Sequence, residues 1–170
     1  MGFLNKVHAV NSLTKMYFSS NKPLSLTKKS ITDDFNTLGT WFTTNREYSS
    51  WHGNRTWAFE IPDIDFKLFN GEHPQNEWWL YFLDNEVYKK VFRVKSVPDF
   101  SRKSSFAYSK YLHNKKYLKA FQENLKAKGY KGIHITPKVE WDGQKDTHVF
   151  VVFDPSKDLR YSKNQLLEGG

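Results

Sequence analysis

The chain has 170 residues, the length of one domain, and its 38% hydrophobic and 26% charged residues exclude disorder as the main state. Its 26 Lys and Arg against 18 Asp and Glu give +8, a balance that suits an anionic partner, while the lack of cysteine excludes disulfides, thiolate metal sites and a cysteine nucleophile. No apolar run approaches the ~18 residues of a membrane span and Met1-Gly2-Phe3-Leu4 opens no signal-peptide apolar region, so a cytoplasmic protein without membrane contact is expected.

Residues 1–14 have no firm period and read as a short helix or a lead-in strand. Lys15 to Ser20 is an apolar-aromatic run stopped by Asn21-Lys22-Pro23, which predicts a strand and a turn. Ser30 to Asn36 reads as a polar connector or a helical turn. Gly39 to Thr44 is rich in β-branched and aromatic residues and predicts a second strand, after which Asn45 to Trp51 fits a short helix capped by Thr44 or Asn45. Arg55 to Ile61 alternates, with Trp57, Phe59 and Ile61 on one face, and predicts a half-buried strand ended by Pro62.

Asn76 to Val94 is long, aromatic and free of Gly and Pro, which predicts one helix. Lys115 to Lys128 carries Leu118, Phe121 and Leu125 at helical spacing, with Gly129 where a left-handed C-terminal cap is wanted. Tyr130 to Thr136 is a strand closed by Pro137. Asp142-Gly143 makes a turn, and Thr147 to Phe153 is a last strand broken by Asp154-Pro155-Ser156. From Ser162 the chain is a polar tail expected to fray. The whole predicts a single α+β domain over 1–170, built on a split, mostly antiparallel sheet with a helical insertion at 66–114 and a polar tail at 162–170.

Lysines cluster at Lys115, Lys116, Lys119, Lys126, Lys128 and Lys131, with smaller groups at Lys28 and Lys29 and at Lys89, Lys90 and Arg93. A solvated face is the ordinary reading of such runs, and a phosphate-facing surface is the functional one. The six histidines show no metal-ligand spacing, and neither a phosphate-binding Gly-x-x-x-x-Gly-Lys nor a Gly-x-Ser-x-Gly elbow is present. No metal site is expected.

Three segments, in order, resemble those around the NAD site of the ADP-ribosyltransferase family, especially its small bacteriophage and polyvalent-protein branches. Met16-Tyr17-Phe18-Ser19-Ser20 looks like the opening Tyr-His-Gly-Thr/Ser strand. Leu38-Gly39-Thr40-Trp41-Phe42-Thr43-Thr44 with Tyr48 beyond is similar to the Gly-x-x-Phe-Thr strand and its helix. Gly129-Tyr130-Lys131-Gly132-Ile133 and Val151-Val152-Phe153-Asp154-Pro155-Ser156 resemble the two closing strands. The resemblance implies two short sheets facing each other across an NAD cleft.

It further implies a mono-ADP-ribosyltransferase, a glycosyltransferase-class enzyme. It would cleave NAD and pass ADP-ribose to a macromolecular acceptor, protein or nucleic acid, in the host cytoplasm if the chain is a bacteriophage protein. The NAD contacts so implied are Tyr17, Ser19, Ser20, Trp41, Thr43, Thr44 and Tyr48. Phe18 stands where the family has histidine; a rival register puts Val7 to Leu13 on that strand and makes His8 the ribose ligand. Val149 stands where the family has its glutamate. Asp146, then Glu140, are candidate substitutes for that carboxylate, with His148 as a hydrogen-bonding or basic group. The alternative is a degenerate fold of this family that binds protein or nucleic acid through its basic face without catalysis.

Overall fold

The computed structural model of the protein describes residues 14–22, 37–70, 78–100, 110–137, 146–159 and 164–168. Its strands are β1 (Lys15–Ser20), β2 (Thr40–Thr43), β3 (Arg55–Glu60), β4 (Phe66–Phe69), β5 (Gly132–Ile135), β6 (Val149–Val152) and β7 (Asn164–Glu168). Its helices are α1 (Arg46–Ser50), α2 (Asn85–Phe92), α3 (Lys115–Ala127) and α4 (Pro155–Asp158), with a 3-10 turn at Trp78–Phe82. The expectations for residues 1–13, for 30–36 and for the Asp142-Gly143 turn lie outside the described residues.

The strands form one seven-stranded sheet in the order β4-β5-β6-β2-β1-β3-β7, with every pairing antiparallel except β4 with β5. The mixed α+β class and the mostly antiparallel sheet are therefore as expected. The split takes another form. Ladders elsewhere in the sheet match four to six residue pairs, but β1 and β2 share one, Tyr17 with Thr43. Two half-sheets, β4-β5-β6-β2 and β1-β3-β7, thus meet edge to edge at a single pair within one sheet, in place of two sheets facing each other.

Both faces of the sheet are buried. Alternation along the strands sends Ile133, Ile135, Val149 and Val151 to one face, where they pack with Leu118, Phe121 and Leu125 of α3 and with Trp41. Met16, Phe18, Phe42, Trp57, Phe59, Phe66, Phe150 and Val152 form a second core on the other face, with Ile64 and Leu159. The expected half-buried strand at Arg55–Glu60 is in fact buried on both faces from Thr56 to Phe59. Its second face is closed by α1, whose Ser49 hydroxyl joins those of Ser19 and Thr56 at 2.8 and 2.7 Å about Ser19 Oγ.

Caps set the helix boundaries. Asn45 and Asn114 each accept a bond from the backbone N–H three residues on, at 2.9 Å, and so start α1 and α3. Gly129, at φ 92°, ends α3 with Tyr130 N–H on Leu125 O and Gly129 N–H on Lys126 O, the paired bonds of a left-handed cap. Gln122, buried on α3, donates to Leu38 O at 2.8 Å and so ties the helix to the residue before Gly39 and β2.

Three expectations are corrected. The single helix over 76–94 is broken in two, because Asp84 adopts an extended backbone and caps α2 by accepting from Val87 N–H. The break is satisfied from outside: the Tyr117 hydroxyl donates to Phe82 O at 2.7 Å and accepts from Asp84 N–H at 2.8 Å. The helical insertion opens on a strand, β4, parallel to β5. Gly132 lets it lie there, since a Cβ on Gly132 would meet the Phe66 ring at 2.8 Å. The frayed tail is β7, which pairs with β3 and satisfies its outer edge.

Around Tyr117 the helical layer is an aromatic cluster, with Tyr88, Phe92, Tyr111 and Phe121 rings 5.4–6.2 Å from it. Burial raises the hydroxyl pKa values of Tyr111 and Tyr117. Among the described residues the fully buried Tyr88 hydroxyl has no hydrogen-bond partner, in contrast to the doubly bonded Tyr117. Because an unmade buried hydrogen bond carries a desolvation penalty, Tyr88→Phe raises stability by about 1 kcal/mol. Tyr117→Phe lowers it by about 1–3 kcal/mol, since two backbone groups lose their partner. Urea unfolding midpoints of the two variants, shifted in opposite directions, check this.

Candidate functional site

The single pair between the half-sheets places three sequence motifs in one row. Tyr17 of β1 stands beside Thr43 of β2, Thr43 beside Val149 of β6, and Val149 beside Ile135 of β5. The row is continued at one end by polar residues. Thr44 N–H donates to His148 O and His148 N–H donates to Thr44 Oγ1, both at 3.0 Å, which prolongs the β2–β6 ladder by a side-chain bond. Thr43 Oγ1 accepts from Asn45 N–H, and Asn45 Nδ2 donates to Thr147 Oγ1 at 3.3 Å. Two turns of chain, 43–45 and 146–148, are thereby locked together.

His148 is half-buried, and its Nδ1 lies 2.9 Å from Nε2 of His134, a residue 2% exposed. The His134 ring stacks on Phe150 with centroids 4.3 Å apart, and Phe66 closes it from the side at 6.5 Å. Desolvation lowers the His148 pKa from 6.5 to about 4, a fall that the Asp146 carboxylate opposes. His148 is therefore neutral at neutral pH and able to share one ring hydrogen with His134. Asp146 is exposed and sits at φ 54°, the left-handed region that Asp tolerates better than most residues.

Four of the anticipated residues, Thr43, Thr44, Asp146 and His148, are thus brought to one end of β2 and β6, with Tyr17 across the seam. The others are dispersed. Ser19 is 7% exposed and its hydroxyl is held between Ser49 and Thr56, so its role is internal. Ser20 lies at the far end of β1, opposite Arg55, and its hydroxyl accepts from Lys22 N–H. Trp41 faces the helical layer against Phe82 at 5.8 Å. Tyr48 is 5% exposed, edge-on to Trp51 and His52, and reads as core. His8 and Glu140 lie outside the described residues. Val149, 3% exposed, points into the helical-layer core.

Three residues absent from the sequence-based site belong to it: His134, Asn45 and Thr147. Strand alternation sets His134 opposite Ile133 and Ile135, and only the β5–β6 register then reveals His148 as its diagonal neighbour. Among the described residues no group of three or more His, Asp or Glu is arranged to hold a metal ion, and no helix is long and apolar enough to cross a membrane.

No protein-family model matches the chain, and no curated protein matches it. A solved structure described as the crystal structure of an anti-CRISPR protein is similar over 92% of this chain and 97% of that one, with a TM-score of 0.42 and 11% identity. At that score the likeness is a distant one.

The His148 environment has a consequence for stability. The unfolded chain takes up a proton near pH 6.5 and the folded one only near pH 4, so the unfolded state holds more protons between these values. The stability from a neutral His148 is complete above pH 6.5 and declines as the pH falls toward 4. The melting temperature of the parent therefore drops more steeply from pH 7 to 4.5 than that of His148→Gln. Equal pH profiles for the two proteins rule this out.

Proposed function

We propose that the seam between the half-sheets binds NAD and that the protein transfers ADP-ribose from it to a macromolecular acceptor. The observation that carries this reading is the row Tyr17–Thr43–Val149, because it aligns the three segments resembling an ADP-ribosyltransferase at the narrowest join of the sheet. Thr44 and His148 end that row with polar groups, and both are partly exposed.

The chemistry asks for few groups. The bond between nicotinamide and ribose breaks with its electron pair leaving on nicotinamide, and the ribose carbon passes through an oxocarbenium-like state. A nucleophile of the acceptor then bonds to that carbon and gives up a proton. Val149 can stabilise no positive charge. Asp146, three residues before it and exposed, is the carboxylate assigned that task in this proposal. Neutral His148 holds the turn through its backbone N–H on Thr44 Oγ1 and is proposed as a hydrogen-bonding group. The hydroxyls of Thr44 and Tyr17 are the proposed ribose contacts.

Removing one electrostatic partner of a developing charge lowers a rate by about 100- to 1,000-fold. Asp146→Asn is accordingly expected to reduce transfer of labelled ADP-ribose by that factor, with NAD binding measured by calorimetry changed less than threefold. Full transfer by Asp146→Asn removes the assignment to Asp146. Neither heat nor a melting shift with millimolar NAD removes the NAD reading and leaves a fold without catalysis.

A further inference from the structure

Charge in this chain is segregated. Residues 84–131 hold 13 of the 26 Lys and Arg but 4 of the 18 Asp and Glu, so this stretch carries +9 and the rest of the chain −1. Its described residues belong mainly to the helical layer. The C-terminal end of α2 meets the N-terminal end of α3, because the Phe92 and Tyr117 rings stack at 6.1 Å and Lys110 Nζ lies 6.0 Å over the Phe92 ring. That contact brings the last turn of α2, which carries Lys90 and Arg93, beside Lys110 and the first turns of α3, which carry Lys116 and Lys119, and all five are exposed.

Folding does not ask for this arrangement. The first turn of α3 has no acidic residue and opens Lys115-Lys116, although the positive end of the helix dipole favours Asp or Glu there. Like charges at the meeting of two helices add repulsion. Among the described residues Lys89 pairs with Glu86 at 2.7 Å, Lys126 with Asp154 at 3.0 Å and Lys131 with Asp158 at 3.7 Å.

We propose that this end of the helical layer docks the phosphate backbone of a double-stranded nucleic acid. Protein interfaces are depleted of Lys at their centres and enriched in exposed aromatics. Among the described residues the exposed large hydrophobics are Trp51, Val94 and Leu166, of which only Val94 belongs to this layer, so neither a protein partner nor insertion into a membrane is favoured. Among the described residues no large exposed aromatic ring lies there, which also disfavours a stacking platform for single strands. Phosphates need only point charges, which lysines supply, and recognition is then independent of base sequence.

The proposal stands apart from the NAD reading, and its assay contains no NAD. Fluorescence anisotropy with 20-base-pair DNA and RNA duplexes of two unrelated sequences each, from 50 to 200 mM salt, is expected to show binding that weakens log-linearly with salt and is alike for the two sequences of each type. Lys90→Ala with Lys119→Ala reduces the magnitude of the slope by about 2, and Lys15→Ala on β1 leaves it unchanged. Lys116→Glu lowers affinity at least tenfold at 50 mM salt while raising the melting temperature by about 1–3 °C, the sign the helix dipole dictates. A structural role for Lys116 predicts the reverse melting shift. No binding of any duplex at 50 mM salt, unchanged binding by Lys116→Glu, or capture by phosphatidylserine vesicles at a salt concentration where duplexes are released overturns the proposal.

Discussion

Strands that lie side by side must exchange backbone hydrogen bonds or satisfy those groups by other means, and β1 and β2 exchange them at one residue pair. The constraint shapes both halves of the sheet. On one side β2 takes its full ladder from β6, extended past Thr43 by the mutual bonds of Thr44 and His148. On the other side all six residues of β1 pair with β3. The halves are then held together by side chains on the two faces: Phe18 on Phe42 at 5.7 Å on one, and α1 against Ser19 and Thr56 on the other. This join sets Tyr17 of β1 beside Thr43 of β2 and leaves Thr44 and His148 at the end of the row.

The helical layer obeys a different economy of space. Its inward face is aromatic, with Tyr111 and Tyr117 wholly buried and Phe121 nearly so, and large rings fill the volume above β5 and β6 with few residues. Rings that bury so much area leave the outer faces of α2 and α3 unconstrained by packing. Exposed lysines occupy them, and Lys110 beside them sets its Nζ 6.0 Å over the Phe92 ring. Segregation of charge therefore costs the core nothing, while the first turn of α3 bears the penalty in its dipole.

At the polar end of the row, geometry and electrostatics act together. Stacking of His134 on Phe150 fixes one imidazole, and the 2.9 Å contact fixes the second, so His148 loses water on the side facing the sheet and resists protonation. Asp146 is left on the outer side, held in a left-handed turn where its carboxylate meets solvent. The pair of environments, one imidazole kept neutral and one carboxylate kept hydrated, is what distinguishes this end of the sheet from the apolar row behind it.

Local signals in the sequence determined the elements that depend on local physics. Helix α3 was legible from Leu118, Phe121, Leu125 and Gly129, and α1 from Asn45, because periodicity and caps act within a few residues. Strands β1, β2, β5 and β6 were legible from their apolar runs and turn residues. What depends on distant partners was not legible. The break between the 3-10 turn and α2 needs the Tyr117 hydroxyl, which arrives from 33 residues away to satisfy Asp84. Polar Asn164–Glu168 becomes a strand only because β3 presents an open edge. His134 enters the site through a register that no alternation pattern specifies, and the single-pair seam arises from where β1 and β2 find their other neighbours. Periodicity tells a segment what shape to take, and only the tertiary fold decides which backbone edge, hydroxyl or ring it will meet.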